Sequence, residues 1–573
     1  MKYSIQTLGL VCLAASSWLS ACTTPAAKSD TVRIRWAHDP ETLDPLVLPN
    51  QQAIDIANLL HCGLLQLDFE RQIFAPALAE AMPQQQYQGD SLTLISYCLR
   101  SAAAWDDGQP VTARDVEFTL KLMHSPGLPN EVARSQYGFI EQIRYDSLQP
   151  RCFTLVCRGQ APDYLQASGD FPVLREDDLD PRHALRRFTL TQLRTRPNDA
   201  PADAGLAALA QRYLACTESP QPGLLPGCGP YVLVDWKKDR YLTVRRKKNW
   251  WGDKLQPVPF VLQAHPDKLS FLVLPDAATA SLALKRRELD LYPQMPALEF
   301  ERMRTAAPDF LKFYTASSYD IVTAGFNTRQ PTLQDARTRR ALSRLFDANG
   351  LLQATQMAAG QRTVGLINPT DTLNYNRRLS LLPFSPDSAS ALLQEAGWRY
   401  TPQGWYRTTA DGIRQHLTLK LRYRSDEAMF ETIALQFRAA AAQIHVPVML
   451  LPTESATLNR LLQAGEFDLY VRTVKGNPFI FNFAPILHSQ AVGEGNFTGY
   501  GTPTSDKLIE QVAAAESPAH RARLLRRLQA LLQADAPLVP LFFLPMRIAA
   551  RANLRSLHVA GLKPGYSAAA IEQ

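Results

Sequence analysis

The stretch LSFLVLPDAATASLALKRRELDLY, residues 269–292, reads as strand, helix, strand. Two short apolar runs flank a segment with helical spacing, and a crossover of that length joins strands that lie parallel in one sheet. The same alternation returns at LTLKLRYRS (417–425), a long helix expected from Glu427 to Ile444, VPVMLLPT (446–453) and FDLYVRTV (467–474). The second half therefore reads as a doubly wound α/β unit. The first half is different in kind. TVRIRWAH (31–38), SLTLISYCLR (91–100) and RCFTLVCR (151–158) alternate like strands, and PYVLVDW with YLTVRRK (230–247) reads as a hairpin. Between them Thr112 to Met123 reads as a helix opened by a capping residue, with Val116, Leu120 and Met123 on one face. LVPLFFLPMRIAARA (538–552) reads as extended chain returning to an earlier sheet.

With 573 residues the chain exceeds what one hydrophobic core supports, so two or more lobes are expected. A net charge of +7 with dispersed basic residues is no nucleic-acid footprint. The clusters Arg337, Arg339, Arg340, Arg344 and Arg521, Arg523, Arg526, Arg527 fall at helical spacings and read as solvated helix faces.

Lys2, an apolar run from Leu8 to Leu19 and small residues have the layout of a secretory leader, too short to span a bilayer as a mature helix. The run closes on Leu19-Ser20-Ala21-Cys22, which resembles a bacterial lipobox, so residues 1–22 are expected to be a lipoprotein signal with Cys22 lipidated and 23–30 a flexible tether. The expected location is the cell envelope, anchored by lipid and facing the periplasm or exterior. Cys62, Cys98, Cys152, Cys157, Cys216 and Cys228 then remain in an oxidising compartment, where six cysteines allow 15 pairings. The odd separation of Cys152 and Cys157 puts them on opposite faces of a strand, so they are not expected to pair. Cys216 and Cys228 bracket a Pro- and Gly-rich loop and are candidates for a bridge, with buried free thiols as the alternative.

The sequence carries no catalytic signature: there is no G-x-S-x-G, H-E-x-x-H, Walker loop or G-x-G-x-x-G after a strand, and no C-x-x-C. No enzyme activity, cofactor or metal site is expected. Asp106-Asp107-Gly108 reads as a turn rather than a carboxylate pair, and His61 and His488 as satisfied structural histidines.

A series of motifs then follows in one order. WAHDPETLDP (36–45), NLLHCGLLQLD with PALAEAM (76–82), CLRSAAAWDDGQPVTARDVEF (98–118) and Gly227-Cys228-Gly229-Pro230-Tyr231 lie in the first half. Asn249-Trp250-Trp251-Gly252, Arg287-Glu288-Leu289-Asp290, Phe326-Asn327 with Asp335, Arg337, Arg340 and Asp347, and the stretch Phe384 to Trp398 come after. Together they resemble the extracellular solute-binding protein family 5, whose members bind oligopeptides, dipeptides or nickel for ABC importers; Cys62 stands where that family usually has Glu. The resemblance implies a two-lobed periplasmic-binding-protein type II-like α/β fold with an extra subdomain, closing on a solute between lobes. It places lobe I at 31–267 with the subdomain near 53–168, lobe II at 268–537, and 538–573 back in lobe I. The implied partners are a peptide-like or other small solute, an ABC permease with its ATPase, and the membrane through the lipid, with no nucleic acid and the protein itself a monomer. A solute sensor or adhesin, and a periplasmic hydrolase, are the competing readings.

Peptide carriers of this family resemble one another in a "D-Y-x-D-P" loop whose first Asp pairs with the peptide α-ammonium. Here the stretch is Val471-Arg472-Thr473-Val474-Lys475-Gly476-Asn477-Pro478, with Val474 and Asn477 at the two acidic positions. Arg472, Lys475 and Asn477 are therefore the candidate ligand contacts, for a solute without a free α-amine at that position.

Overall fold

The computed structural model describes residues 31–573 except 90, 147, 162, 197–200, 202, 219–223, 307, 480 and 516 and the side chain of Ala456. The expected leader, Cys22 and tether lie outside the described residues. Strand β1 (Thr31–Trp36) and helix α1 (Gln51–Leu60) open the chain. A large insertion follows, with the hairpin β2 (Leu65–Asp68) and β3 (Ile73–Pro76), then β4 (Gln84–Gln88), β5 (Leu92–Cys98), helix α2 (Ala113–Met123), β6 (Ile140–Tyr145) and β7 (Cys152–Arg158). The main sheet resumes with β8 (Tyr231–Lys237), β9 (Tyr241–Arg246), β10 (Lys268–Val273), β11 (Leu291–Pro293) and the long β12 (Leu311–Phe326).

Among the described residues that sheet has eleven strands. β1 sits parallel between β10 and β11, and the C-terminal strand Leu538–Arg551 lies antiparallel between β11 and β12. Beyond β12 come Leu469–Val474, Leu419–Arg424 and Val448–Thr453, the last two parallel as the alternation in the sequence requires. The helix expected from Glu427 to Ile444 runs Ala428–Gln443.

One sheet serves several cores, of which the two largest lie toward its two ends. Val32 and Ile34 of β1, Val244 of β9, Phe271 of β10, Leu291 of β11 and Ile548 belong to the first. Val322, Ala324 and Phe326 of β12, Leu421, Phe437, Val471 and Phe542 belong to the second. The change falls within β12 and the C-terminal strand, where the pairing shifts register between Ser317 and Ile321. Past the expected boundary at 267/268, β10 and β11 flank β1 and pack in the first core. Lobe II is one continuous length of chain, joined to lobe I through β12 and the C-terminal strand.

The insertion in lobe I carries its own sheet, in the order β4-β5-β7-β6. It begins after α1, which packs on β8, and continues past 168 through the helix Ala204–Glu218. Its extent is thus later at both ends than the expected 53–168. Cys98 and Cys152 face each other across β5 and β7 and form a disulfide. Cys216 and Cys228 are not bonded to each other; both are free, as are Cys62 and Cys157. Helix α2 starts as expected: the backbone N–H of Thr112 donates to the Asp115 carboxylate at 2.8 Å, and Val116, Leu120 and Met123 are buried.

The ordered motifs do architectural work. In WAHDPETLDP the Asp39 carboxylate accepts from Trp236 Nε1 at 3.0 Å and from the Asp239 N–H at 2.9 Å, and Asp44 accepts from Leu46 N–H and Tyr213 Oη. The Asp106-Asp107-Gly108 segment is a turn with Gly108 at φ +86°, and its acids pair with Lys247 and Arg175. Arg339 departs from the expected solvated face. It is buried, and its guanidinium donates to the carbonyls of Leu333, Gln334, Asp535 and Ala536, which ties two helix ends together. His488 is satisfied, accepting from the Gln490 N–H at 3.1 Å. His61 is not. Burial, then the charge of Lys247, lowers its pKa to about 3, and its Nδ1 has no hydrogen-bond partner among the described residues.

Candidate solute-binding cleft

The seam between the lobes is built on the irregular stretch of β12. Ser318 Oγ donates to the Leu544 carbonyl at 2.6 Å, and Asn368 Nδ2 donates to the Ser318 carbonyl at 2.8 Å, so the bend is pinned from both crossing strands and from a lobe II loop. Asp320 next to it pairs with Lys563 of lobe I at 2.6 Å.

Onto this bend folds the loop that follows Leu469–Val474. At Gly476 a Cβ would lie 2.1 Å from the Tyr319 carbonyl oxygen, so the loop seats only because that position has no side chain. Asn477 Oδ1 then accepts from the Phe479 N–H at 2.8 Å, an Asx turn around Pro478 that aims Phe479 out of lobe II. The Phe479 ring meets Phe74 of β3, in lobe I, edge to face at 5.0 Å. Two residues on, Phe481 lies under the guanidinium of Arg521, 5.0 Å from its centroid, at the first turn of the helix Pro518–Asp535.

Arg521 is the charged group of this seam. Burial lowers its pKa, against the pull of Asp371 in lobe II and Asp163 in lobe I, and its Nε is buried with no hydrogen-bond partner among the described residues. Burial likewise raises the Asp163 carboxyl, and burial followed by Asp371 raises the Tyr319 phenol. Phe74 of lobe I thus meets Phe479 of lobe II, with Phe481 and the half-buried Arg521 close by along the chain and the helix. The described residues also hold a cavity of about 340 Å³ beside Arg340 and Arg344, and one of about 980 Å³ on the insertion near Arg186, but each is walled by one lobe.

Of the three residues expected from the sequence, Lys475 and Asn477 are exposed at the loop, and Asn477 spends its oxygen on the turn. Arg472 lies apart from them, its guanidinium 5.0 Å from the centre of Phe497 on the sheet face that carries Tyr470. The structure therefore does not bring the three together. Phe74, Asp163, Phe479 and Phe481 were not singled out by sequence reasoning, and Arg521, expected on a solvated helix face, instead has its Nε buried. Only the Pro478 turn signal pointed near them; the rest is long-range convergence. The one His/Asp/Glu group with metal-ligand spacing among the described residues, Glu176, Asp177 and His183, is in the insertion, and Arg186 already pairs with Glu176 at 2.6 Å.

Residues 74–486 match the family described as "Bacterial extracellular solute-binding proteins, family 5 Middle". The chain belongs to that family, and a substrate-binding component of an ABC importer is the role its two lobes fit. Protein XP55 of Streptomyces lividans is 26% identical over 522 residues, which cover 89% of this chain and 83% of that one. Among solved structures, NikA from Brucella suis in complex with Fe(III)-EDTA superposes with a TM-score of 0.71 at 18% identity, covering 94% of this chain and 97% of that chain. The oligopeptide-binding protein from Thermus thermophilus, complexed with a pentapeptide, gives 0.67 at 18% identity, covering 94% of each. The two-lobed α/β fold expected from the sequence is the fold of these neighbours, and the matched family is one of binding proteins.

Proposed function

We propose that this protein captures a small solute in the Phe74–Phe479 seam, closes its lobes on it, and delivers it to a membrane permease driven by a separate ATPase. The observation that carries the reading is that the two largest cores are joined by two crossing strands with a register shift at the junction, an arrangement suited to hinge closure. Attachment is through a lipid at Cys22, at the end of the apolar run Leu8 to Leu19, with the protein a monomer in the cell envelope.

The solute is one without a free α-ammonium at the loop after Leu469–Val474. Val474 and Asn477 offer no carboxylate there, while Lys475 and, further in, Arg472 and Arg521 add positive charge. Leaving a buried cation without its partner costs about 3–5 kcal/mol, against about 1.5–3 kcal/mol for a hydrogen bond to a charged group. Neutral or anionic solutes, among them N-blocked peptides and anionic metal chelates, fit this charge pattern; Lys475 and Asn477 from the loop and Arg472 from the strand before it remain the proposed contacts. Titration calorimetry with unmodified di- to pentapeptides and their N-acetylated forms checks it. Acetylated forms are expected to bind at least as tightly as their parents. Micromolar or tighter binding that acetylation abolishes contradicts the reading.

A further inference from the structure

We propose that Cys62 and Cys228 form a second disulfide, one that closes the neck of the lobe I insertion. Cys62 follows α1 and opens the insertion, and Cys228 precedes β8 and ends it, so the whole inserted subdomain hangs between these two residues. At this neck the two passages of chain touch. The Gly229 N–H donates to the Leu60 carbonyl at 3.0 Å, and a Cβ on Gly227 would stand 1.9 Å from the Leu60 oxygen. The backbones are therefore in contact on either side of Cys228, next to Cys62. The Cys62 sulfur is 3.7 Å from the Cys228 carbonyl, and the two residues are 1% and 0% exposed.

The surroundings favour the bond. The neighbouring Cys62 side chain holds the Cys228 thiol below the usual range, while the Cys228 side chain, with burial, raises Cys62. Trp250 Nε1 and Trp251 Nε1 both donate to the Cys228 carbonyl, at 2.9 and 2.8 Å, and fix the turn. Among the described residues the other two free thiols have no such neighbour: Cys157 lies in β7 between Thr93 and Ile140, and Cys216 is a half-buried helix residue.

The chemistry is thiol–disulfide exchange. The Cys228 thiolate attacks one sulfur of an incoming disulfide, releasing one thiol; the Cys62 thiolate then attacks the mixed disulfide at the Cys228 sulfur and releases the second thiol. The two cysteines are oxidised, the incoming disulfide is reduced, and the protons lost by the two cysteine thiols pass to the two released sulfurs. Because both sulfurs are buried in the folded protein, the bond must form while the chain folds, and afterwards the fold shields it from reductant. The inference rests on folding outside the cytosol, but its test does not. The full-length chain is unfolded, reduced and refolded with glutathione disulfide, then denatured without reductant, alkylated and digested. Cys157 and Cys216 are expected to carry label, and Cys62 and Cys228 to appear as one cross-linked peptide pair. Cys98–Cys152 is the internal standard: chains that hold it while Cys62 and Cys228 are both labelled, or joined to Cys157 or Cys216, overturn the inference. As a second reading, the Cys62→Ser/Cys228→Ser variant should melt several degrees below the oxidised wild type, since closing so long a loop restricts the unfolded chain. Equal midpoints overturn it as well.

Discussion

The Asp290→Ala variant is expected to lose about 3 kcal/mol of stability, a fall of roughly 6 °C in Tm for a lobe of this size. Asp290, from the Arg287-Glu288-Leu289-Asp290 motif, precedes the short β11 and joins three strands of the main sheet. Its carboxylate accepts from the Arg33 N–H at 2.8 Å and Nε at 2.9 Å, and from Arg551 at 2.9 Å. Its side chain is 3% exposed while those of Arg33 and Arg551 are 33% and 28% exposed. Removing the acid leaves two guanidinia that still reach water, so the cost lies at the lower end of that for a broken buried pair. β11 has three residues and depends on this knot for its place between β1 and the C-terminal strand. Asp290→Asn, which keeps the shape and part of the hydrogen bonding, should lose less. Thermal melts of wild type and both variants check the order; an Asp290→Ala midpoint equal to wild type contradicts the assignment.

Cys22→Ser should remove the protein from the membrane or leave it as uncleaved precursor. A single acyl chain holds only reversibly, and each buried CH₂ adds about 0.8 kcal/mol, so two or three chains on one cysteine make an anchor whose loss is close to complete. Leu8 to Leu19 is too short to replace it as a span. Fractionation with intact-mass measurement of each fraction reads the outcome. The same membrane-bound mature form in the variant would remove the lipid from the account.

What was legible in the sequence was local. The strand–helix–strand patterns at 269–292 and 417–474 held because apolar alternation and helical spacing are decided within a few residues. The lobe boundary was not legible, since β12 and the C-terminal strand pass from one core to the other as unbroken extended runs with no turn signal between. Nor was the Cys98–Cys152 bond: it follows from β5–β7 register, which spacing along the chain does not encode. At the cleft the missing acids, Val474 and Asn477, could be read from the loop alone. Gly476 could not be understood until Tyr319 was seen beneath it, and Arg521, Asp163 and Phe74 meet only through the folded lobes.

Hinge closure on a captured solute is the central claim, and small-angle scattering reads it directly. The protein is purified with whatever it has captured, native mass spectrometry records the extra mass, and a second sample is stripped by unfolding and refolding. The loaded protein is expected to have the smaller radius of gyration, with the stripped form expanding as the Phe74–Phe479 contact opens. An unchanged radius, once mass spectrometry shows the solute gone, would contradict it.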